Sequence, residues 1–208
     1  MTVEVNIPEG ERCEEILARL RAKGEAVQKA LEITGGDVER MHNLWRSIPE
    51  DEKRRIVRLA VEKLYLDPIT AQGLREAAVT REFLEKHLYE MTDKVCRGAP
   101  GDELNVVTLL GAVNAVMLGI ELSTLLGAVS LIGSKIASNS PDVETALSVT
   151  KVYLWCATML TENYTSIREA VLSRASGISE QVMRNLVRAY SSDLKQRITR
   201  FLSGGGRA

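Results

Sequence analysis

The feature that most constrains this chain is an apolar stretch of thirty-four residues, from Leu104 to Ala137, in which only Glu121 and Lys135 are charged. Side chains four residues apart form a ridge on an α-helix, and a ridge of small side chains lets a second helix approach closely. Small residues recur at this spacing along the stretch, so it predicts tightly packed helices. The residues predicted to line a helix-packing contact or an oligomer interface are Gly111, Ala115, Gly119 and Gly127.

The length of the apolar stretch limits how it can fold. One continuous helix over these residues would span about 50 Å, which is long for a globular domain, so we expect either a long central helix with a kink or a helical hairpin broken near Gly119. Its longest uncharged run, from Leu104 to Ile120, has seventeen residues and includes polar side chains. A membrane span needs about 20 predominantly apolar residues. The pattern therefore favours a buried or interface helix, and a membrane-associated helical protein is an alternative.

The rest of the chain also has the periodicity of helices. From Glu11 to Ile33, apolar or small residues fall at alternating spacings of three and four, a heptad seam on which Gly24 would admit a close neighbour. No alternating pattern typical of a β-strand is found, so the predicted fold class is an all-α bundle of about eight helices. In addition to the seam and the apolar stretch, a short helix is predicted after Gly35-Gly36, where the first helix ends. Six further helices are predicted over about 50–65, 70–78, 81–97, 141–161, 165–175 and 179–202.

Several helix starts are predicted from capping residues. Asp37 can cap the short second helix, and Ser47 with Glu50 has the spacing of a capping box. Ser179 can cap the last helix in the same way. The helix over 141–161 has apolar residues on nearly all sides, including Val143, Leu147 and Leu154, which predicts that it is buried all round.

The strongest loop signal is Gly98-Ala99-Pro100-Gly101, and it predicts a boundary between two regions. Residues 1–98 would form an N-terminal helical region, and residues 102–208 a C-terminal bundle with apolar core or interface helices and a basic last helix. The charge is uneven, because residues 166–208 carry 8 basic and 3 acidic groups in a chain whose net charge is −1. We therefore expect any affinity for nucleic acid to be local.

The segment 68–91 resembles a helix-turn-helix motif, with exposed charged residues at the start of its second helix. It departs from the motif at Ala78, where glycine is usual, and at Leu74, where a small residue is usual. Two short antiparallel helices would explain the same residues without DNA. The charged positions that this interpretation assigns to nucleic-acid contact are Arg81 and Lys86, with Lys53, Arg54 and Arg55 on a neighbouring helix.

A second candidate nucleic-acid contact lies on the predicted last helix. Arg184, Arg188 and Lys195 would project within about 40° of one another on an ideal helix. A stripe of this kind can follow a phosphate backbone. A helix face that is simply solvated has the same composition, so the stripe alone does not decide between the two.

Signals for catalysis are sparse. Arg81 and His87 have an R-x5-H spacing, which resembles the helical HEPN ribonucleases, where such a pair acts on the scissile phosphate. His87 also belongs to the apolar side of its own helix. No phosphate-binding glycine loop and no paired metal ligands are present in the sequence, and no small-molecule substrate is evident. We therefore expect a non-enzymatic protein without cofactor or metal, and a HEPN-like ribonuclease is an alternative.

The three cysteines, Cys13, Cys96 and Cys156, are odd in number and far apart, which is typical of reduced packing residues. The polar, acidic start of the chain lacks the pattern of a secretory signal, so we expect a cytoplasmic protein. The function predicted from the sequence is a self-associating helical protein, a homo-oligomer that contacts DNA or RNA through basic helix faces. Packaging, regulatory and ribonucleoprotein scaffold roles all fit this prediction. A protein–protein interaction scaffold without nucleic acid is the first alternative.

Overall fold

The computed structural model describes residues 13–177 and Val182, and this part of the chain contains eight α-helices and no β-strand. The predicted all-α fold class is confirmed. The predicted last helix, with its stripe of basic residues, lies outside the described residues except for Val182. The helices are α1 (Cys13–Ala30), α2 (Gly35–Ser47), α3 (Glu50–Leu66), α4 (Pro68–Glu76), α5 (Arg81–Arg97), α6 (Asp102–Met117), α7 (Leu122–Ala137) and α8 (Val143–Ser176).

The chain divides into two compact units, Met1–Tyr164 and Thr165–Ala208. The first unit holds α1 to α7 and most of α8, and the described part of the second contains the end of α8. The division does not fall at the predicted loop of residues 98–101, because α5 and α6 on either side of that loop pack on each other and α3 packs on α7.

The predicted break in the apolar stretch is confirmed at Gly119. This residue has a φ of 65°, in the left-handed region that favours glycine. The Gly119 amide donates to the Val116 carbonyl at 3.2 Å, and the Ile120 amide donates to the Ala115 carbonyl at 2.8 Å. These two bonds form a Schellman motif, which ends α6. The apolar stretch therefore folds as two helices of sixteen residues each.

Helix α8 is longer than the sequence pattern predicts. Two segments were expected, over 141–161 and 165–175, whereas the structure has one helix of 34 residues. No glycine or proline interrupts it, and the buried side chains at the expected break bind other helices. Asn163 Nδ2 donates to Thr108 Oγ1 at 3.3 Å, and the Tyr164 hydroxyl donates to the Ile120 carbonyl at 2.9 Å.

The prediction that this helix is buried all round is wrong. Val143 is 76% exposed, Leu147 is 55% exposed and Leu154 is 50% exposed. The opposite side of the helix carries Trp155 and Met159, which are fully buried. The helix is therefore amphipathic in its contacts even though its composition is apolar on both sides.

Two of the predicted helix caps are also corrected. The N-cap of α2 is Thr34, and Asp37 is its partner three residues later in a capping box, so the two preceding glycines open α2 and do not end α1. The N-cap of α3 is Pro49 without a side-chain bond, and the Ser47 hydroxyl instead donates to the Leu44 carbonyl at 2.8 Å. The expected capping box of Ser47 with Glu50 is therefore absent.

Helices α4 and α5 follow their start signals closely. Asp67 caps α4 by accepting a hydrogen bond from the Thr70 amide at 2.8 Å, and Pro68 occupies the first turn, so α4 begins two residues before its expected start. Thr80 caps α5, whose bounds agree with the prediction. Side-chain caps at both starts fix where the chain turns between these helices.

The close approach predicted at Gly24 is present inside the first unit. A Cβ on Gly24 would lie 2.7 Å from Asn105 Oδ1 and 3.3 Å from the Trp155 ring, so α1 lies directly against α6 and α8. The Trp155 indole N–H donates to the Gly24 carbonyl at 2.9 Å. The glycine on the heptad seam therefore packs within the chain.

A buried carboxylate joins α2 to α8. Asp37 accepts hydrogen bonds from the Ser148 hydroxyl at 2.8 Å, from the Thr34 amide at 2.8 Å and from Arg40 at 3.2 Å. Lys151 Nζ lies 3.5 Å from the same carboxylate. Burial raises the pKa of Asp37, but the hydrogen bonds from Thr34, Ser148 and Arg40 outweigh it and hold the pKa well below its ordinary value.

Candidate functional site

An apolar cavity of about 100 Å³ lies within the first unit, among α3, α5, α6, α7 and α8. Its wall is almost wholly hydrocarbon, and each of these helices turns at least one buried or half-buried apolar side chain toward it. Apolar residues that form the wall include Leu64 on α3, Leu84, Leu88 and Met91 on α5, Val107 and Ala115 on α6, Leu125 and Ile132 on α7, and Leu160 on α8.

Gly111 and Ala115, two residues of the predicted small-residue ridge, belong to this wall. A Cβ on Gly111 would lie 2.9 Å from the Met91 methyl carbon and 3.3 Å from a Leu160 methyl carbon. Ala115 is 2% exposed. Both positions are therefore packed inside the chain.

The ridge does not continue beyond α6. A Cβ on Gly119 would meet no described heavy atom within 4 Å, so Gly119 makes no close helix contact within the described chain. Its place in an oligomer interface stays a prediction. Gly119 serves the turn through its conformation. Gly127 lies on α7, where a Cβ would be 3.6 Å from Lys63 Cε, an ordinary van der Waals contact.

The polar groups at the cavity differ in how they are bonded. The Thr108 hydroxyl donates to the Asn105 carbonyl at 2.9 Å and accepts from Asn163, and the Tyr153 hydroxyl lies 3.6 Å from Cys96 Sγ. These groups are satisfied within the core. His87 on α5 and Asn114 on α6 are only half-buried, and Asn114 Nδ2 lies 3.4 Å from His87 Nε2.

His87 and Asn114 belong to the half-buried part of the cavity wall. The Phe83 ring stacks on the His87 ring with centroids 6.1 Å apart, and Phe83 is 57% exposed. Met117, one turn after Asn114 on α6, is 77% exposed. The polar pair is therefore bordered by exposed apolar side chains.

The interior of the cavity is uncharged. No Asp, Glu, Lys or Arg lines it. Burial raises the pKa of the Cys156 thiol above its usual range, and burial together with neighbouring Cys96 raises the pKa of the Tyr153 hydroxyl well above its ordinary value. Both groups are neutral at physiological pH, so the cavity suits an uncharged occupant.

The basic residues of α3 that were predicted to contact nucleic acid have partners within the chain. Lys53 Nζ lies 5.1 Å above the Trp45 ring, and Arg54 Nε lies 3.2 Å from a Glu50 oxygen. Arg55 donates two hydrogen bonds to the carboxylate of Glu52, at 2.6 Å and 2.8 Å. Acidic residues therefore accompany the basic residues on this helix.

The predicted contact residues of α5 lie in a similar mixed setting. Arg81 lies over the Tyr65 ring, 4.6 Å from its centroid. Lys86 is exposed and lines an open cleft between α3 and α5 in which Arg58 lies 3.8 Å from Glu85. Contact with nucleic acid at these residues stays a prediction. The remaining predicted contacts, Arg184, Arg188 and Lys195, lie outside the described residues.

The turn between α4 and α5 bears on the helix-turn-helix resemblance. Ala78 has a φ of 53°, the left-handed conformation for which the motif normally uses glycine. Helix α4 packs against α3, whereas α5 packs against α2, α3 and α6. The turn conformation agrees with the motif, and DNA contact by α5 stays a prediction.

Arg81 and His87 do not converge on one site. They are six residues apart, so they project about 120° from each other around the helix. The Arg81 guanidinium lies over Tyr65 of α3, whereas His87 faces Asn114 of α6. The described geometry therefore lends no support to a paired role in phosphodiester cleavage.

Other classes of site were also sought. Within residues 13–177, no group of three or more His, Cys, Asp or Glu side chains could hold a metal ion. None of the described helices combines the length and the hydropathy that a membrane span requires. Comparison with models of known protein families, with curated proteins and with solved structures found no match.

Sequence reasoning missed the cavity as a site. It considered His87 for ribonuclease chemistry and did not single out Asn114 among the polar side chains of the run from Leu104 to Ile120. The available signal was that both residues place a polar group on an otherwise apolar helix side. Nothing in the sequence indicated that those two sides face each other.

Proposed function

We propose that this protein binds a small, uncharged, mainly apolar molecule in the core of its first unit. The observation that carries the proposal is the cavity of about 100 Å³ with an apolar wall and no charged lining residue. Small-molecule sites are typically concave and apolar, with a few placed polar groups. An engineered apolar cavity of about 150 Å³ binds benzene, so this cavity suits a ligand built on at most one six-membered ring.

The expected affinity follows from the surface that such a ligand would bury. A ring of benzene's size loses roughly 200 Å² of apolar surface to water, which at about 25 cal/mol per Å² corresponds to about 5 kcal/mol. Because the ligand also loses translational and rotational freedom on binding, this free energy sets a lower limit on the Kd of about 0.1 mM. Binding at this level is measurable by calorimetry and by NMR.

The test uses benzene as a probe and the methionine methyl groups as reporters. Met91 lines the cavity, whereas Met41 is fully buried on α2 and does not line it. We expect benzene to shift the Met91 methyl resonance in a saturable way and to leave the Met41 resonance unchanged. Equal shifts of both resonances, or no saturable shift of Met91, would overturn the proposal.

A cavity-filling variant supplies an independent control. In Gly111→Val the added side chain meets Met91 and Leu160 and takes up space in the cavity, whereas Gly127→Val makes the same exchange on α7 away from the cavity. We expect benzene affinity to fall at least about tenfold in the first variant, since lost cavity contacts cost on the order of 1.4 kcal/mol or more. The second variant should bind as the parent does.

A further inference from the structure

We infer that the ligand carries a single terminal hydrogen-bonding group, of the alcohol or phenol type, and that Asn114 and His87 recognise that group. The inference rests on the proposed function of the same cavity. It adds the chemical class of the ligand and the residues that select it. The carrying observation is that the mainly apolar wall of the cavity includes an amide and an imidazole that face each other from two different helices.

The bonding of Asn114 leaves it free to take a ligand. A side-chain amide has two donor hydrogens and an accepting oxygen. Among the described residues, the hydrogen-bond partner of the Asn114 side chain is His87, at 3.4 Å, which is long for a hydrogen bond. A hydroxyl placed beside this pair can donate to Asn114 Oδ1, and the bond would be made within a largely apolar surrounding.

Two other polar groups of the cavity are already bonded within the core. The Thr108 hydroxyl is already bonded to Asn105 and Asn163, and the Tyr153 hydroxyl is paired with Cys96. Asn114 and His87 come from two helices and are joined by a long contact, so they are the groups placed to recognise a polar end of the ligand. The rest of the wall is mainly hydrocarbon, apart from the Cys156 thiol and the hydroxyl groups of Thr92, Thr108 and Tyr153.

The absence of charge narrows the ligand class further. A carboxylate or ammonium group would lose its hydration on entering the cavity, and no Asp, Glu, Lys or Arg lines the wall to compensate. A wholly apolar ligand would cover the Asn114 amide oxygen without offering it a donor, which is also unfavourable. A neutral molecule with one polar end satisfies both conditions.

The experiment compares phenol with toluene, which has a methyl group in place of the hydroxyl. Both are titrated by calorimetry into the parent protein and into Asn114→Leu, which keeps the side-chain size and removes the amide. We expect the ratio of the toluene Kd to the phenol Kd to fall about five- to tenfold in the variant, as expected for one lost hydrogen bond. Because the same two probes are used with both proteins, their different hydrophobicity cancels when the ratio is compared between the parent and the variant.

A second variant keeps the inference testable if Asn114→Leu does not fold. His87→Phe preserves an aromatic ring against Phe83 and removes the imidazole, and we expect the same ratio to fall in it. If the parent binds both probes with a ratio that neither folded variant changes, the inference is overturned and the proposed function stands. If the parent binds neither probe at the cavity, as reported by the Met91 methyl group, the proposed function itself is overturned.

Discussion

Glycines that look equivalent in the sequence have different roles in the structure. A Cβ on Gly73 of α4 would overlap the backbone carbonyl oxygen of Leu118, in the turn that follows α6. Gly111 adjoins the flexible ends of two side chains, and Gly119 has open space around it but a left-handed backbone. Glycine therefore occurs in this chain for three reasons: a fixed backbone atom leaves no room for a Cβ, flexible side chains pack closely against it, or the backbone is left-handed.

We expect Gly73→Ala to destabilise the protein by about 1–3 kcal/mol, because a carbonyl fixed in a turn cannot move away as a side chain can. Gly127→Ala is the matched control, since its nearest heavy atom is an ordinary contact at 3.6 Å and alanine raises helix propensity by up to about 1 kcal/mol. Urea unfolding measures both. Equal midpoints for the two variants would contradict the close approach of α4 to the turn.

The ends of helices were predictable where a single residue decides them. The bounds of α5 and the break at Gly119 both follow from local signals, a threonine cap and a glycine. The continuity of α8 was not predictable in this way. Its expected break was placed where no glycine or proline occurs, and the burial of Asn163 and Tyr164 depends on helices far away in the sequence.

The junction of α2 with α8 should make stability depend on pH through Asp37. We expect Asp37→Asn to lower the free energy of unfolding by about 2 kcal/mol at neutral pH. Hydrogen bonds to a charged group are each worth about 1.5–3 kcal/mol, and asparagine retains some of them. Arg40 and Lys151 would also lose their counter-charge. Urea unfolding of the parent and the variant measures the difference.

The sign of the pH effect follows from the direction of the pKa shift. The pKa of Asp37 is lower in the folded protein than in the unfolded chain, so its contribution is complete above the unfolded value of 3.8 and is lost as the pH falls toward the folded value. The difference in the free energy of unfolding between the parent and Asp37→Asn should therefore shrink as the pH falls from about 4 to about 2. An exposed control, Asp51→Asn, should show a smaller difference at neutral pH. A difference in the free energy of unfolding that stays constant down to about pH 2 would contradict stabilisation of the charged Asp37 carboxylate in the folded protein.

At the scale of the whole molecule, the all-α class followed from periodicity, but the cavity could not. Its lining runs from Leu64 to Leu160 and comes from five helices. Periodicity identifies which side of a helix is apolar, and it does not specify which sides meet or how completely they fill the space between them. The position of a cavity depends on those two unknowns.

Binding to nucleic acid stays a prediction, and in the C-terminal region it rests on the excess of basic residues alone. We expect replacement of Arg184, Arg188 and Lys195 by alanine to weaken binding to DNA and RNA to a similar extent whatever the nucleotide sequence. The salt dependence should flatten by up to about three phosphate equivalents. Fluorescence anisotropy over a range of salt concentrations measures both.

The matched control replaces Lys53, Arg54 and Arg55, whose side chains already face an aromatic ring or a carboxylate. Its effect on binding should be smaller. If the parent binds neither nucleic acid at low salt, or if the C-terminal variant binds as the parent does, the alternative of an interaction scaffold without nucleic acid takes precedence. The molar mass of the parent in solution tests the predicted self-association in the same samples.

The contacts of α8 with the start of the chain also determine when this protein can fold during its synthesis. The bond from Trp155 to Gly24 closes a loop of 131 residues, and the bond from Ser148 to Asp37 closes one of 111. A ribosome adds about 5–20 residues per second, so α1 and α2 wait many seconds for their partner. The first unit therefore acquires its native packing only when its last helix has left the ribosome.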